Sequence, residues 1–135
     1  MQYWQSYCVL LLLFLAAAVI IQRSTFESNS ADYGGAITVC QGPFIQIQDC
    51  NFTGNAAVNP ITGNPGNGGA VFVFAEGARM LMSTSNFTGN KASVGGVIYI
   101  QNATALNMSE LQMVDNAAMS WGGALANADD SVGGC

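Results

Sequence analysis

The chain has 135 residues, 50% apolar and only 8% charged, with 3 Lys+Arg, 8 Asp+Glu, 4 Cys and no His. That length allows one domain, and low charge with high apolar content is the reverse of what a disordered tail needs. A net charge of −5 makes nucleic acid a poor partner, and the missing His removes the commonest general base and metal ligand.

Residues 9–21 (VLLLLFLAAAVII) are 13 consecutive apolar residues. A bilayer-spanning helix takes about 20, so the run fits the apolar region of a signal peptide. Ala16-Ala17-Ala18 then offers a small-x-small cleavage site after Ala18. No Lys or Arg precedes the run, and the first base is Arg23. That departure leaves an uncleaved anchor as the alternative, with a buried strand of a longer protein behind it. The expected organisation is a signal segment at 1–18 and repeats at 19–135, the last one incomplete. Cleavage after Ala18 takes Cys8 with it.

Four tetrapeptides recur beyond that point: FESN at 26–29, FTGN at 52–55, FTGN at 87–90 and MVDN at 113–116. Each is followed by a Gly-Gly pair and an apolar strand: GGAI at 34–37, GGAV at 68–71, GGVI at 95–98 and GGAL at 122–125. The repeat asparagines Asn29, Asn55, Asn90 and Asn116 are spaced by 26, 35 and 26 residues. Self-similarity at such a period is the signature of a stacked repeat architecture. The long step holds an insertion, mostly residues 56–67 (AAVNPITGNPGN), expected to project from one corner.

Apolar positions within each unit sort into three short strands of period two. The first points Ile37/Val39, Val71/Val73 and Ile98/Ile100 to one side. The second aligns Val19/Ile21, Ile45/Ile47, Met80/Met82 and Leu106/Met108. The third aligns Ser24/Phe26, Cys50/Phe52, Ser85/Phe87 and Leu111/Met113. Alternation within strands and phase breaks between them imply corners. The expected fold is all-β: a right-handed parallel β-helix of about four coils, three strands to a coil. Coils stacked at the strand spacing of about 4.8 Å would rise some 20 Å in all.

The punctuation fits that fold. Gly-Gly allows a tight corner with positive φ, and Asn tolerates the left-handed conformation while bonding nearby backbone. Asn29, Asn55, Asn90 and Asn116 are expected to stack as an amide ladder, each donating to the next coil. Phe26, Phe52, Phe87 and Met113 are expected to stack inside.

GGA[I/V/L] alternating with Phe-x-x-Asn, over residues 19–125, resembles the polymorphic outer-membrane protein repeats of chlamydiae, a pattern also found in other bacteria and some algae. The resemblance implies a surface-exposed or secreted β-helical passenger region, several such regions being adhesins. Two departures stand out. Met113 replaces Phe in the fourth unit, and no carboxy-terminal run of amphipathic strands is present to form a membrane barrel. After Gly123 only 12 residues remain, against the 17 or 18 that earlier units need to reach the Phe position. With no polar cap visible at either end, the chain reads as a segment of a longer solenoid.

The β-helix scaffold also hosts pectate lyases and polygalacturonases, so catalysis is a reading the residues must support or exclude. Glycoside hydrolysis needs two carboxylates across one groove. Asp129-Asp130 is the only adjacent acidic pair, and strand neighbours face opposite ways. Arg23, Arg79 and Lys91 are isolated, and Asp32, Asp49, Glu76, Glu110 and Asp115 share no spacing, although Asp49 and Glu110 both lie three residues before the Phe/Met position. They read as solvated surface. No catalytic, cofactor or metal site is expected. Cys50 is expected to be a buried thiol and Cys40 to face outward, which makes a bridge between them doubtful. Cys135 is terminal, and free thiols are the expected state.

Four Asn-x-Ser/Thr sequons begin at Asn51, Asn86, Asn102 and Asn107. Asn51 and Asn86 flank inward Phe residues and should point to solvent, open to glycosylation in a eukaryote. Phe72 and Tyr99 alternate with inward Val and Ile, so they should stack outside the first sheet. There they offer an exposed aromatic contact for a sugar or partner, or simply pack coil on coil. The sequence therefore points to a non-catalytic secreted or cell-surface repeat protein or fragment (outer membrane if bacterial), acting in adhesion or as structural surface. Its expected partner is a surface protein or polysaccharide, with membrane contact only through an uncleaved amino-terminal segment or a missing carboxy-terminal region. The alternative is a fragment of a β-helix polysaccharide lyase or hydrolase whose catalytic coils lie outside this chain.

Overall fold

The computed structural model describes residues 2–5 (backbone only), 18–40, 43–59, 61–102 and 105–128. The expectations for cleavage after Ala18, for Cys8 and Cys135, and for Asp129-Asp130 fall largely or wholly on residues outside that set.

Every described element is a strand. The first coil runs through β2 (Val19–Gln22), β3 (Ser24–Glu27), β4 (Ser30–Ala31) and β5 (Ile37–Val39), with β1 (Gln2–Gln5) ahead of it. The second holds β6 (Phe44–Gln48), β7 (Asn51–Thr53), β8 (Ala56–Ala57) and β9 (Val71–Phe74). The third holds β10 (Arg79–Ser83), β11 (Asn86–Thr88), β12 (Lys91–Val94) and β13 (Ile98–Gln101). The fourth holds β14 (Ala105–Ser109), β15 (Gln112–Val114), β16 (Ala117–Trp121) and β17 (Leu125–Ala128). Equivalent strands of successive coils pair in parallel, making four sheets ordered β2-β6-β10-β14, β1-β3-β7-β11-β15, β4-β8-β12-β16 and β5-β9-β13-β17. The chain is a parallel β-helix of about four turns.

The register follows the apolar columns read from the sequence. Ile45 pairs with Val19 and Met80, Ile47 with Ile21 and Met82. Phe52 pairs with Phe26 and Phe87, and Phe87 with Met113; Val71 pairs with Ile37 and Ile98. These columns form one continuous buried core. A one-residue slip would turn every column outward, so burial itself fixes the register.

Each coil has four strands where three were expected. The additional one follows the repeat Asn, and in the first two coils it is only Ser30-Ala31 and Ala56-Ala57. Two small residues leave no period-two pattern of large side chains, so the strand shows only in its pairing. The insertion is correspondingly shorter than residues 56–67. Ala56 and Ala57 belong to β8, Val58 bridges Pro65, and Asn67 rejoins the stack between Tyr33 and Val94.

Corners fall at three fixed places with φ in the left-handed range. The first column is Arg23, Asp49, Thr84 and Glu110; the second is Ser28, Gly54, Gly89 and Asp115; the third is Gly34, Gly68, Gly95 and Gly122. The left-handed residue is thus the one before each repeat Asn and not the Asn itself. The two glycines of each pair also differ in purpose. Gly68 has φ +70, whereas Gly69 has no such φ but would drive a Cβ into the Gly96 carbonyl oxygen of the next coil. The first glycine turns the chain and the second lets two coils touch.

Candidate functional site

The asparagine column is a hydrogen-bonded ladder running through all four coils. Asn29 donates its backbone N–H (3.1 Å) and Nδ2 (3.0 Å) to Asn55 Oδ1. Asn55 does the same to Asn90 Oδ1 at 3.0 Å and 3.0 Å, and Asn90 to Asn116 Oδ1 at 2.9 Å and 2.9 Å. The second Nδ2 hydrogen goes back to the carbonyl of the Phe in the previous coil: Asn55 to Phe26, Asn90 to Phe52 and Asn116 to Phe87, each at 3.0 Å. Asn55 and Asn90 are fully buried, where only a satisfied amide is tolerable. Beside this ladder the rings of Phe26, Phe52 and Phe87 stack at 4.8 Å and 4.7 Å. These residues hold coils together, and at the inner rungs, Asn55 and Asn90, they leave no side-chain polar atom over for a ligand.

A second polar column turns the corner after each Arg23-type residue. Ser24 Oγ donates to the Gln22 carbonyl at 2.9 Å and Ser85 Oγ to that of Ser83 at 2.8 Å. Cys50 Sγ sits in the same place, 3.1 Å from the Gln48 carbonyl oxygen. As expected it is a buried free thiol, and burial raises its pKa above the ordinary thiol range. Cys40 corrects the expectation of free thiols. It is disulfide-bonded, and although placed on the outer side by register it is covered, at 5% exposure. Since Cys50 is free, the two do not pair with each other.

The outer walls carry the remaining candidates. On β7 and β11, Asn51 and Asn86 are exposed and paired side by side, with Asn86 Nδ2 donating to Asn51 Oδ1 at 2.9 Å. Thr53 and Thr88 form the parallel row. Asn107 on β14 is exposed, and Asn102 is half-buried at a corner with φ +63. The adjacent wall is a glutamine cluster, Gln22 and Gln46 both donating to Gln48 Oε1 at 3.2 Å and 3.0 Å.

Phe72 and Tyr99 stack on the outer face of β9 and β13 with centroids 5.4 Å apart and planes 2° from parallel. They are not an exposed aromatic contact, however. Exposure is 5% for Phe72 and 9% for Tyr99, within an outer apolar cluster that includes Val94 and Ala126. Tyr33 leans on Phe72 at 5.1 Å and is the member of this stack open to solvent. The pair therefore packs coil on coil. The signal for this was Val94, which alternation alone did not bring into the same cluster.

The acidic residues do not converge. Asp49 and Glu110 occupy one left-handed corner column with Thr84 between them, and Thr84 Oγ1 lies 3.5 Å from Glu110 Oε2. Two strand spacings, about 10 Å, are far wider than the carboxylate pair of a retaining glycosidase and at the outer limit of an inverting one, and Thr84 stands between the two. Among the described residues no three of Cys, Asp and Glu lie together so as to hold a metal ion. Among them also, no helix is long and apolar enough to cross a membrane, which leaves strand-built spans untouched.

Two stretches of the chain, residues 23–39 and 84–101, match the Chlamydia polymorphic membrane protein repeat. They bracket equivalent parts of the first and third coils, each running from the Arg23/Thr84 corner through the Phe-x-x-Asn segment to the strand after Gly-Gly. The chain is also similar to metabotropic glutamate receptor-like protein R of Dictyostelium discoideum, 34% identical over 80 residues. That similarity covers 59% of this chain but only 5% of the relative. No solved structure matches. The repeat and the β-solenoid together fit a surface-type repeat protein.

Proposed function

We propose that the chain serves, without catalysis, as a secreted or cell-surface β-helical segment, in adhesion or as a structural surface. The observation that carries this is the division of labour within each coil. Inward Asn, Phe and aliphatic columns supply the stacking, while the outward rows of Asn51, Thr53, Asn86, Thr88 and the Gln22–Gln48 cluster form a polar, hydrogen-bonding wall across coils, with Glu27 beside Thr53 as its charge in the first coil. Such a wall suits a polysaccharide or protein surface, with Asn51, Asn86 and Asn107 as glycan acceptors in a eukaryotic source. Neither the geometry nor the matched repeat supports the lyase or hydrolase alternative. The test is retention of the labelled chain on immobilised polysaccharides and cell surfaces, with Thr53→Lys and Thr88→Lys as wall variants. Retention that falls at least tenfold in the variants is expected; release of unsaturated product from polyuronates would sink the non-catalytic reading.

A second reading, a solenoid segment of a larger membrane-anchored receptor-like protein, is favoured by the similarity to the Dictyostelium receptor-like protein. Peptide mapping of the native product separates the two. Mapped peptides continuing into a membrane-spanning region would select the anchored form.

A further inference from the structure

Two sheets built from the same coils treat their outer faces differently. On β7 and β11 the outward Asn51, Thr53, Asn86 and Thr88 are exposed, as alternation leads one to expect of a solenoid wall. On β5, β9 and β13 the outward Thr38, Cys40, Phe72, Tyr99 and Gln101 are all buried. On β17 the order is inverted. Outward Ala126 is buried, while Leu125 and Asn127, in line with inward Ile98 and Ile100, are exposed. Cys40, Tyr99 and Gln101 each make an interaction beyond the contacts given above. The outer face of this sheet is covered, and Cys40 lies within the covered area.

The same residue is a point of cross-linking. Cys40 is disulfide-bonded and Cys50 is a free thiol. With 4 Cys in the chain, the partner of Cys40 is Cys8 or Cys135. Position separates the two. Cys8 follows β1 by three residues, and β1 runs along β3, two corners of the coil away from Cys40. Ala128 instead stands in the same outward line as Cys40: Gln101 pairs with Phe74 and with Ala128, and Cys40 extends β5 into that line. Three strand spacings, about 14 Å, separate the first coil from the fourth. The seven residues from 129 to 135 can reach about 23 Å when extended.

We propose that Cys40 and Cys135 form a disulfide that clasps the fourth coil to the first across the outer face of the β5-β9-β13-β17 sheet. The two thiols give up two protons and two electrons as the S–S bond forms, and a disulfide-bearing oxidoreductase of the export compartment is reduced to its dithiol in exchange. Such a bond persists in an oxidising compartment, so the clasp rests on the export reading above. Cleavage after Ala18 removes Cys8 and leaves both partners of the bond in the product. Coils of a solenoid otherwise touch only their neighbours. The clasp joins coils three apart, and closing so long a loop restrains the unfolded chain.

The experiment secretes the full chain, with its own leader, from a eukaryotic host, alkylates free thiols at once and maps tryptic peptides without reduction. Cleavage at Arg23, Arg79 and Lys91 puts Cys40 and Cys50 in peptide 24–79, Cys135 in peptide 92–135 and Cys8 ahead of Arg23. Peptides 24–79 and 92–135 linked to each other, from a product of monomer mass and with the alkyl group on Cys50, are the expected result. Reduction is expected to lower the melting temperature of the parent and to leave that of Cys135→Ser unchanged, with both keeping the same far-ultraviolet spectrum. An alkylated Cys40, a Cys40 linked between two chains, or an equal effect of reduction on Cys135→Ser would overturn the clasp while secretion leaves the export reading standing. A link from 24–79 to the peptide carrying Cys8 would overturn both the clasp and cleavage after Ala18. A chain held inside the host would overturn the export reading, and the same map of that chain after treatment with oxidised glutathione still decides the clasp.

Discussion

Asn55 uses the full hydrogen-bonding capacity of its side chain: Oδ1 accepts from the Asn29 N–H and Nδ2, while Nδ2 donates to the Phe26 carbonyl and to Asn90 Oδ1. Asn55→Ala strands several of those partners in a dry core and should cost about 3 kcal/mol or more. Asn55→Asp should do no better, because an oxygen would face two acceptors. The outward Asn51→Asp should stay within about 0.5 kcal/mol. Urea melts distinguish these outcomes, and equal midpoints for Asn55→Ala and Asn51→Asp would contradict the ladder. Cys50 makes the second prediction at this scale. Its thiol pKa is raised by burial, so the folded chain holds that proton more tightly than the unfolded one. The contribution is complete below the unfolded value and is lost as pH rises above about 8.5 toward the folded pKa. Cys50→Ser keeps the bond to the Gln48 carbonyl, as Ser24 and Ser85 do in their coils. The variant should remain folded and lose that alkaline slope, measured as the difference between the two melting-temperature profiles against pH. These residues were legible in the sequence because they recur at fixed offsets. The disulfide state of Cys40 was not, since one thiol carries no periodic signal and its facing does not report what covers it.

At the scale of the strand and the corner, what matters is how closely coils approach. Phe52 lies between Phe26 and Phe87 with rings 4.8 Å and 4.7 Å away, and it is fully buried. Phe52→Ala should therefore cost about 3 to 5 kcal/mol, read from the same melts. The two kinds of glycine separate just as cleanly. Gly77 has φ +74 and open space around its Cβ position, so Gly77→Ala meets only backbone strain, about 1 to 2 kcal/mol. Gly69 lacks the unusual φ but abuts the Gly96 carbonyl, so Gly69→Ala must push two coils apart and should be the more damaging. Gly77→Ala proving worse would contradict the assignment of roles. The three apolar columns were readable because strand alternation fixes facing and register together. The fourth strand was hidden by its brevity and small side chains at Ser30-Ala31 and Ala56-Ala57. The left-handed corner of Arg23, Asp49, Thr84 and Glu110 was hidden by its chemical variety. Its only trace was the constant three-residue offset before the Phe/Met position.

Across the whole molecule, each coil touches only its neighbours, so stability is a sum of coil–coil interfaces and is weakest at an open end. Among the described residues the fourth coil is the least covered, with Leu106 at 40% and Leu125 at 37% exposure while the inner columns are sealed. The repeat made the solenoid legible from end to end, since every unit specifies the same three contacts. The coil-on-coil packing of Phe72 and Tyr99 was one of the two alternatives that strand alternation left open, but what covers the pair was not readable, because Val94 and Ala126 of the outer cluster belong to no single strand pattern. The most direct test of the stacked-coil account compares side-chain amides in one short motif that recurs twice, Asn-Phe-Thr-Gly-Asn at 51–55 and 86–90. With ¹⁵N-asparagine labelling and proton exchange followed by NMR, the Nδ2 hydrogens of Asn55 and Asn90 should be strongly protected and show contacts to the Phe of the preceding coil. Those of Asn51 and Asn86 should exchange far faster on the outer wall. Equal exchange at all four positions, or no contact between residues one repeat apart, would contradict the parallel β-helix and everything built on it.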